Sequence, residues 1–569
     1  MRLINTTTLQ LEYFLDRSVP PYAILSHTWE EEEVTFQDMA LPRPLNKKGY
    51  NKIAETCRLA RERNLAYAWV DTCCIDKTSS SELTESINSM FQWYVKAEVC
   101  FTYLSDLPAQ TELKDGIKRC RWVTRGWTLQ ELIAPRRLLF YDSVWQLRGT
   151  KMDPGVATAL SRLTNIPPKV LSMEKEATRC SIAQRISWAS RRETTRLEDM
   201  AYCLLGLLEV NMPLIYGEGQ DAFRRLQEEV IKKRNDLSIF AWNPTAAEEQ
   251  GGGRELRSCS LLATSPAAFV GSGEYRSYHA ASAPEFSMTN KGLRLERDLM
   301  LIPTRNGLEY VMRVATCPEP CAHAGSHDIG IRLRKIEQGH FVRRLCKTME
   351  YHPKHMKNVQ LIPAAPFRLL TDMKLLEGSW TTSIGRGGIQ MHTPENTRIV
   401  DVLPGESWNA ETRFFFPNDP ERVRALRSEV SVGEKTVACT ILIRFNPEWD
   451  QQPIVKVDHN DLSQLARRAL FSPREDGMTN NSLRWREFLR DYPQSRWLTD
   501  QAEGLTDGAV FTFKVKVSSG TLQVFGKSVD VWTVHLEVED RKVSRMSMAW
   551  RRICENAKHD TRSSGWPHS

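Results

Sequence analysis

The sequence contains no long apolar run, and this absence limits what the protein can be. No stretch of its 569 residues approaches the roughly 18 apolar residues that a membrane-spanning helix needs. The first residues, MRLINTTTLQLEYFLD, have no basic start followed by an apolar core, so we expect no secretory signal. A glycine-rich phosphate loop, a Rossmann glycine fingerprint and a His-Glu-x-x-His motif are also missing. We therefore expect no membrane span and none of the nucleotide or zinc sites that these motifs build.

A large excess of one charge is missing as well. The 77 Lys and Arg residues outnumber the 70 Asp and Glu residues only slightly, which gives a net charge of +7. A nucleic-acid-binding surface needs positive charge concentrated on one face, so we expect no specific nucleic-acid binding. With 41% hydrophobic and 26% charged residues, the composition is that of an ordinary globular protein. The length allows several domains with large cores.

The 13 cysteines follow no regular spacing. An odd number of cysteines without an export signal favours reduced, mostly buried thiols and a cytoplasmic location. The Cys-x3-Cys-x-His-x3-His segment at 317–327 departs from the usual spacing of zinc ligands. The sequence therefore predicts no metal site.

Strand-like and helix-like segments alternate over residues 1–150. The strand-like segments are continuous apolar runs, as in sheets buried on both faces, and the helix-like segments carry apolar residues at helical spacing. This alternation predicts an α/β domain with a parallel sheet covered by helices. The predicted strands are 22–26, 66–70, 99–104 and 137–145, and the predicted helices are 49–63 and 83–94.

Beyond residue 150 the pattern changes three times. Residues 151–242 are typical of a helical extension of the first domain. Residues 243–275 are rich in Ala, Gly and Ser and predict a linker. Residues 276–569 predict a β-rich (α+β) domain of unknown role. Alternating apolar residues favour strands in that domain, and a turn is expected at Gly520. These strands are predicted at 437–445, 511–517 and 532–538.

Five segments in the first 242 residues occur in an order that resembles the heterokaryon-incompatibility (HET) domain family. Any one of them alone would be a weak signal, whereas the ordered set is specific. The resemblance implies a fungal protein of non-self recognition and of the regulated cell death that follows. The segments are Tyr22-Ala-Ile-Leu-Ser-His-Thr-Trp29, Trp69-Val-Asp-Thr-Cys-Cys-Ile-Asp76, Met90–Tyr94 with Ala97, Arg125-Gly-Trp-Thr-Leu-Gln-Glu-Leu132, and Glu198-Asp-Met-Ala-Tyr-Cys-Leu-Leu-Gly206 leading to Tyr216-Gly-Glu-Gly219.

A more distant resemblance concerns the segment Trp127-Thr-Leu-Gln-Glu-Leu132. It is similar to the Trp-x-Leu-x-Glu-Leu segment of TIR domains, in which the glutamate is the catalytic residue for cleaving NAD. The order of strands and helices before it also looks TIR-like. The resemblance implies that Glu131 is catalytic, with NAD as the substrate and no further cofactor required.

The chemistry of NAD suits a site with one carboxylate. Nicotinamide carries a positive charge that its departure neutralises, so no general acid is needed. The remaining oxocarbenium-like ribose is stabilised by a nearby carboxylate, a role that Glu131 fits. Trp127 lies four residues earlier, on the same helical face, where its indole could stack on nicotinamide or adenine. Two alternatives stay open: Glu131 as a solvated or capping carboxylate, and Trp127 as a packing residue.

Other candidate ligand-binding residues follow the predicted strands. Ser26, His27 and Trp29 come after the first strand, and Asp71 and Asp76 flank the end of the second. The loops after the carboxyl ends of parallel strands are where ligands bind in open α/β sheets, so we expect these residues at one rim. The alternatives are a histidine satisfied by neighbouring backbone and an Asp71 that caps a turn.

The sequence thus predicts a HET-domain protein whose first domain is a candidate NAD hydrolase. One alternative is a non-enzymatic, self-associating adaptor of incompatibility in which Glu131 is structural. A third interpretation is a DNA-associated regulator that uses the mild positive charge. The candidate partners are a second copy of the chain or an incompatibility partner protein.

Overall fold

The structure of the chain is a computed structural model. The structure describes residues 1–15, 18–41, 46–246, 258–278, 285–290, 292–304, 307–318, 326–337, 340–344, 347–351, 360–369, 389–403, 408–409, 413–415, 423–432, 435–444, 454–458, 501–506, 509–524 and 527–541.

The N-terminal region is built on a seven-stranded sheet in the order β2-β1-β4-β3-β5-β6-β7. The four central strands, β4, β3, β5 and β6, are parallel, as predicted. The edges differ from the prediction because β1, β2 and β7 pair antiparallel, which makes the sheet mixed. The strands are β1 (Arg2–Asn5), β2 (Leu11–Tyr13), β3 (Tyr22–His27), β4 (Tyr67–Trp69), β5 (Val99–Tyr103), β6 (Leu138–Tyr141) and β7 (Leu147–Thr150).

Helices connect the parallel strands and extend the domain beyond the sheet. The helices predicted at 49–63 and 83–94 are α1 and α2, because their apolar residues fall on one face. Short 3-10 helices occupy Gln37–Ala40, Ile117–Arg119, Arg121–Thr124, Ala177–Arg179, Leu237–Phe240 and Pro266–Phe269. The α-helices are α1 (Tyr50–Arg61), α2 (Ser80–Lys96), α3 (Leu113–Gly116), α4 (Thr128–Ile133), α5 (Pro154–Thr164), α6 (Pro168–Leu171), α7 (Ile182–Ser187), α8 (Asp199–Tyr202), α9 (Leu205–Leu208) and α10 (Asp221–Lys233).

The strand order creates a switch point beside β3. The chain passes from β3 to β4 on one side and then returns to β5 on the other side of β3. All six residues of β3 are buried, which explains why its sequence is a continuous apolar run until Ser26 and His27. Ser26 pairs in register with Thr102, and His27 with Tyr103, so both lie at the carboxyl edge of the sheet. Ligands of open α/β sheets bind at such a switch point.

The C-terminal region is rich in strands, as predicted. In the described residues beyond 276, the regular elements are strands. Two sheets there have the orders β18-β19-β16-β25-β24-β23 and β17-β20-β21-β22. β8 (Ser258–Cys259) precedes this region. The strands within it are β9 (Ser287–Thr289), β10 (Gly292–Thr304), β11 (Gly307–Pro318), β12 (Ser326–Glu337), β13 (His340–Arg344), β14 (Met349–Tyr351), β15 (Gln360–Leu369), β16 (Ile389–His392), β17 (Thr397–Leu403), β18 (Trp408–Asn409), β19 (Phe414–Phe415), β20 (Val423–Val432), β21 (Lys435–Arg444), β22 (Ile454–Asp458), β23 (Gln501–Thr506), β24 (Ala509–Val524) and β25 (Lys527–Arg541).

One detail of that region corrects the sequence prediction. The turn expected at Gly520 is wrong, because Gly520 lies inside β24 opposite Val531 of β25. A glycine within a strand pattern does not by itself end the strand when both neighbours continue the ladder.

The chain divides into two compact units. The first comprises Met1–Leu295, Arg313–Ile331 and Arg344–Met356, and the second comprises Glu296–Met312, Arg332–Arg343 and Lys357–Ser569. Within the described ranges, no helix has the length and apolar character needed to cross a bilayer.

The described part of the predicted linker, 243–246 and 258–275, packs within the first unit. Leu261 is fully buried, and its carbonyl accepts a hydrogen bond from Trp242 Nε1 at 2.9 Å. Gln227 on α10 exchanges two hydrogen bonds with the backbone of Ala263, at 2.8 and 3.0 Å. Residues 258–275 are therefore attached to the helical region. The predicted domain boundaries at 150, 242 and 275 stay predictions.

Candidate functional site

Glu131 lies at the bottom of a cavity beside the carboxyl edge of the parallel sheet. It sits on α4, whose six residues are all buried, and its own exposure is 6%. Its Oε2 accepts a hydrogen bond of 2.5 Å from Ser26 Oγ, and Ser26 Oγ accepts one of 2.7 Å from Trp122 Nε1. The side chain is thereby fixed across a sequence separation of 105 residues.

The protonation of Glu131 is set by its surroundings. Burial raises the pKa of Glu131 to about 8, and the negative charge of Asp71 adds to the increase. The hydrogen bond from Ser26 and the positive charge of Arg192 oppose that increase. Among the described residues, no cation lies within 4.0 Å of the Glu131 carboxylate to form an ion pair with it. A carboxyl group with such a pKa changes its charge near neutral pH.

A second polar group joins the ends of β3 and β4. His27 Nε2 lies 3.0 Å from Asp71 Oδ1, and Trp29 Nε1 donates to Asp71 Oδ2 at 2.7 Å. Burial alone would raise the pKa of Asp71, but the hydrogen bond and charge of His27, with the charge of Lys77, lower it overall. Asp71 is therefore a carboxylate that orients both His27 and Trp29.

The cavity that these residues enclose has a volume of about 400 Å³. This volume lies within the range of about 300–1,000 Å³ that small-molecule sites occupy. Apolar side chains of α2 form part of the wall, and polar or aromatic side chains form the remainder. The lining residues are His27, Thr28, Trp29, Asp71, Ile75, Lys77, Leu83, Ile87, Met90, Arg125, Trp127, Thr128, Glu131, Thr195, Arg196, Asp199 and Tyr216.

Two aromatic walls of the cavity are oriented by one carboxylate. Asp199 Oδ1 accepts a hydrogen bond of 3.0 Å from Tyr216 Oη, and the Asp199 side chain also accepts one from Trp127. Burial raises the pKa of Asp199, although both hydrogen bonds and the charge of Arg196 act against the increase. Two rings fixed in this way offer flat surfaces for a planar ligand ring.

The mouth of the cavity is more exposed than its floor. Trp29 is 52% exposed, and the ammonium of Lys77 lies 3.6 Å from the centre of its indole ring. The guanidinium of Arg196, also exposed, lies 4.6 Å from the centre of the Tyr216 ring. Both contacts have the geometry of cation–π pairs.

The structure brings five of the seven sequence-predicted site residues to the cavity wall: His27, Trp29, Asp71, Trp127 and Glu131. Ser26 does not line the cavity. It is fully buried behind Glu131 and holds that carboxylate instead of facing a ligand.

Asp76 differs from the expectation that it faces the same rim as Asp71. It does not line the cavity. Its Oδ1 accepts hydrogen bonds from the backbone and hydroxyl of Thr78, at 3.0 and 2.6 Å, and from Gln37 Nε2 at 2.9 Å. Asp76 thus closes a turn after Ile75, because the chain has already bent away from the strand end.

Several cavity residues were missed in the sequence analysis. Arg125, Asp199 and Tyr216 stand inside two of the five family-like segments, so those segments could have identified them. Thr195 and Arg196 carry no such signal, and only the folded chain brings them to the cavity.

No cysteine of the described residues lines this cavity. Cys73 and Cys74 are buried free thiols, and the hydrogen bond with the Cys74 thiol, together with burial, raises the pKa of Cys73. Across the described residues, no group of three or more His, Cys, Asp or Glu side chains is arranged to hold a metal ion. Cys321 and His323 of the 317–327 segment lie outside the described residues.

Comparison with known proteins gives two family matches and one curated relative. Residues 22–114 match the family described as Heterokaryon incompatibility protein (HET), so the N-terminal part of the chain is a HET domain. Residues 221–303 match a domain of unknown function, DUF8212. The chain is similar to Vegetative incompatibility protein HET-E-1 of Podospora anserina, with 44% identity over 228 residues. The match covers 38% of this chain and only 16% of that relative. No solved structure matches the chain.

Proposed function

We propose that this chain is a heterokaryon incompatibility protein whose HET domain is TIR-like, binds NAD and hydrolyses it with Glu131. One observation carries the proposal: a buried carboxyl group, without an ion-pair partner among the described residues, lies at the floor of a cavity with aromatic walls. A carboxylate whose only purpose is structural is usually solvated or paired with a cation.

The proposed reaction breaks the bond between the nicotinamide nitrogen and C1′ of the ribose. The bonding electrons pass to the nicotinamide ring, whose positive charge is neutralised. The ionised Glu131 carboxylate stabilises the charge that develops on the ribose. Water then adds its oxygen to C1′ and releases a proton, so the products are nicotinamide, ADP-ribose and H⁺.

The other cavity residues have supporting roles in this proposal. Trp127 and Tyr216 offer ring surfaces for the nicotinamide, and Asp199 orients both. His27 and Trp29, both held by Asp71, contact the ribose or a phosphate. The positive charge of bound nicotinamide favours ionisation of Glu131, because an opposite charge nearby lowers the pKa of a carboxyl group.

The biological role in the proposal rests on the HET domain and the incompatibility relative. Consumption of NAD would give the domain a means to kill a fused cell. Activity would follow self-association or the binding of an incompatibility partner.

A second candidate function is a non-enzymatic adaptor of incompatibility. The observation that favours it is the raised pKa of Glu131, together with its hydrogen bond to Ser26. A protonated Glu131 fixed to Ser26 would act as a buried structural group, and the domain would signal through self-association alone.

The test is incubation of the purified full-length chain with NAD over a range of protein concentrations, with nicotinamide release as the readout. Glu131→Gln should lower the rate by about 10²–10³, because it removes the charge that stabilises the transition state. Glu98→Gln is the matched control, since Glu98 is exposed and precedes β5 at the opposite edge of the sheet. The rate should also rise as pH approaches 8 and Glu131 ionises.

Equal rates in the Glu131→Gln variant and the unaltered chain would reject the catalytic role. No nicotinamide release at any protein concentration, with concentration-dependent self-association, would favour the adaptor.

A further inference from the structure

Cationic side chains are concentrated at one level of the cavity. Lys77, Arg125 and Arg196 line it, whereas the carboxyl group of Glu131 lies at the floor. Arg196 and Thr195 are exposed and Arg125 is half-buried, so these three residues belong to the mouth. The cavity thus has an acidic floor and a basic rim.

The rim is held in place by backbone pairing between two distant segments. Gly126 N donates to Glu193 O at 2.8 Å, and Glu193 N donates to Thr124 O at 2.7 Å. Buried Arg192 reinforces the pair, because its Nη1 donates to Arg125 O at 2.8 Å. These bonds bring residues 192–196 beside residues 124–126.

The guanidinium groups of the rim keep donors available. Arg125 Nη2 donates to Thr195 Oγ1 at 3.0 Å, and Arg196 lies over the Tyr216 ring. Among the residues that the structure describes, neither arginine forms an ion pair within 4.0 Å. The N–H groups of a guanidinium can bind two phosphate oxygens at once.

The volume of the cavity decides which part of a ligand meets this rim. About 400 Å³ is near the lower end for small-molecule sites, so a long dinucleotide would extend past the mouth. A ring and its ribose at the floor would place a 5′-phosphate at the level of Arg125 and Arg196.

We propose that Arg125, Thr195 and Arg196 form a phosphate-binding rim, which makes the site selective for ribosyl ligands with a 5′-phosphate or diphosphate. The identity of the group at the floor rests on the proposed function, but the binding of phosphate esters at the rim does not require hydrolysis.

The test is calorimetric binding to the full-length Glu131→Gln variant, which keeps the rim and removes the carboxylate. Three ligands are compared: ADP-ribose with two phosphate groups, nicotinamide mononucleotide with one, and nicotinamide riboside with none. We expect nicotinamide mononucleotide to bind more tightly than nicotinamide riboside, and Arg125→Met and Arg196→Met each to weaken ADP-ribose binding by about 10-fold or more. Nicotinamide riboside binding should not change.

Arg162→Met is the matched control, because Arg162 is an exposed arginine on α5 outside the cavity. Arg196→Lys, which keeps the charge but not the paired donors, should weaken ADP-ribose binding less than Arg196→Met. Arg196 is exposed, so unfolding curves should show that its variants remain folded.

Each result separates the two proposals. ADP-ribose binding that is unchanged in the Arg125→Met/Arg196→Met double variant overturns the rim, even if NAD is hydrolysed. Equal affinity for nicotinamide riboside and nicotinamide mononucleotide also overturns it. Loss of ADP-ribose affinity in the arginine variants, with no hydrolysis by the unaltered chain, supports the rim and rejects the NAD hydrolase.

Discussion

At the scale of single residues, the cavity is governed by carboxyl groups in different surroundings. Asp71 is stabilised as an anion by His27 and Lys77, whereas burial raises the pKa of Glu131 to about 8. Neighbouring carboxyl groups with opposite pKa shifts are a common arrangement in acid–base and glycosyl chemistry. Such a shift also links the stability of the fold to pH.

We expect the folded chain to lose stability as pH rises through the range in which Glu131 ionises. The pKa of Glu131 in the folded state, about 8, lies above the ordinary glutamate value of 4.5, so the folded state holds its proton more tightly. The stabilisation is complete below about pH 4.5 and is lost as pH rises through about 8. Glu131→Gln should therefore be more stable than the unaltered chain above pH 8, and urea unfolding at several pH values measures the difference.

Glu98→Gln should leave the pH dependence unchanged, because Glu98 is exposed. A Glu131→Gln variant with the same pH dependence as the unaltered chain would contradict the raised pKa.

At the scale of elements, the short helix α4 depends on a buried lysine. The exposure of Lys151 is 0%, and its Nζ donates to the carbonyls of Leu132, Ile133 and Pro135, at 3.1, 3.4 and 2.5 Å. These carbonyls lie at the end of α4 and just after it, where a helix has no backbone donors of its own. The positive charge also matches the negative end of the helix dipole.

Lys151→Met should lower the free energy of unfolding by about 1–3 kcal/mol, because buried carbonyls lose their donor. Urea unfolding measures this change. Lys118→Met is the matched control, since Lys118 is exposed in a 3-10 helix, and it should change stability by less than about 0.5 kcal/mol. Equal effects of the two substitutions would refute the capping role.

The contact between α2 and α9 positions another wall of the cavity. Gly206 on α9 approaches Phe91 on α2 so closely that an added Cβ would lie 2.1 Å from Phe91 Cβ. Leu83, Ile87 and Met90 of the same α2 line the cavity.

We expect Gly206→Ala to destabilise the chain by about 1–3 kcal/mol, because the two packed helices must move apart. Gly155→Ala provides the comparison: its Cβ would meet only Lys114 Cδ at an ordinary 3.7 Å, in helix α5. That variant should be neutral or slightly stabilised. Thermal unfolding of both variants tests the difference. An unchanged stability of Gly206→Ala would show that α2 and α9 can accommodate the added methyl group without cost.

At the scale of the whole molecule, the HET domain is not the full extent of its structural unit. The family match covers 22–114, yet the first unit continues to Leu295 and includes two later segments. Buried Ser181 donates to the Tyr275 carbonyl at 2.7 Å, and Gln184 donates to that of Gly273 at 2.8 Å. These bonds tie α7 to residues beyond 242.

A fragment of residues 1–242 should therefore unfold at a lower temperature than a fragment of residues 1–278. The shorter fragment loses the buried Leu261 and Phe269, each worth about 1.5–3 kcal/mol of burial. It also removes the hydrogen-bond partners of Gln184 Nε2 and Gln227 Oε1. Thermal unfolding and limited proteolysis compare the two. Identical midpoints would mean that residues 243–278 contribute nothing to the stability of the domain.

The sequence by itself determined the local elements and the strand ends that carry polar residues. Apolar runs and helical spacing depend on neighbours in the chain, so β3, β5, α1 and α2 could be predicted from them. Ligands of open α/β sheets bind in the loops after the carboxyl ends of such strands, and this rule identified His27, Trp29 and Asp71 as candidates.

Only the tertiary structure decided the environment of each side chain. Glu131 meets Ser26 across 105 residues, and Arg125 meets Thr195 across 70. No local pattern encodes such contacts, because they depend on how strands and helices pack. Packing therefore decided the features that the sequence pattern could not predict. These are the burial and the pKa of Glu131, the position of Asp76 outside the cavity, and the basic rim.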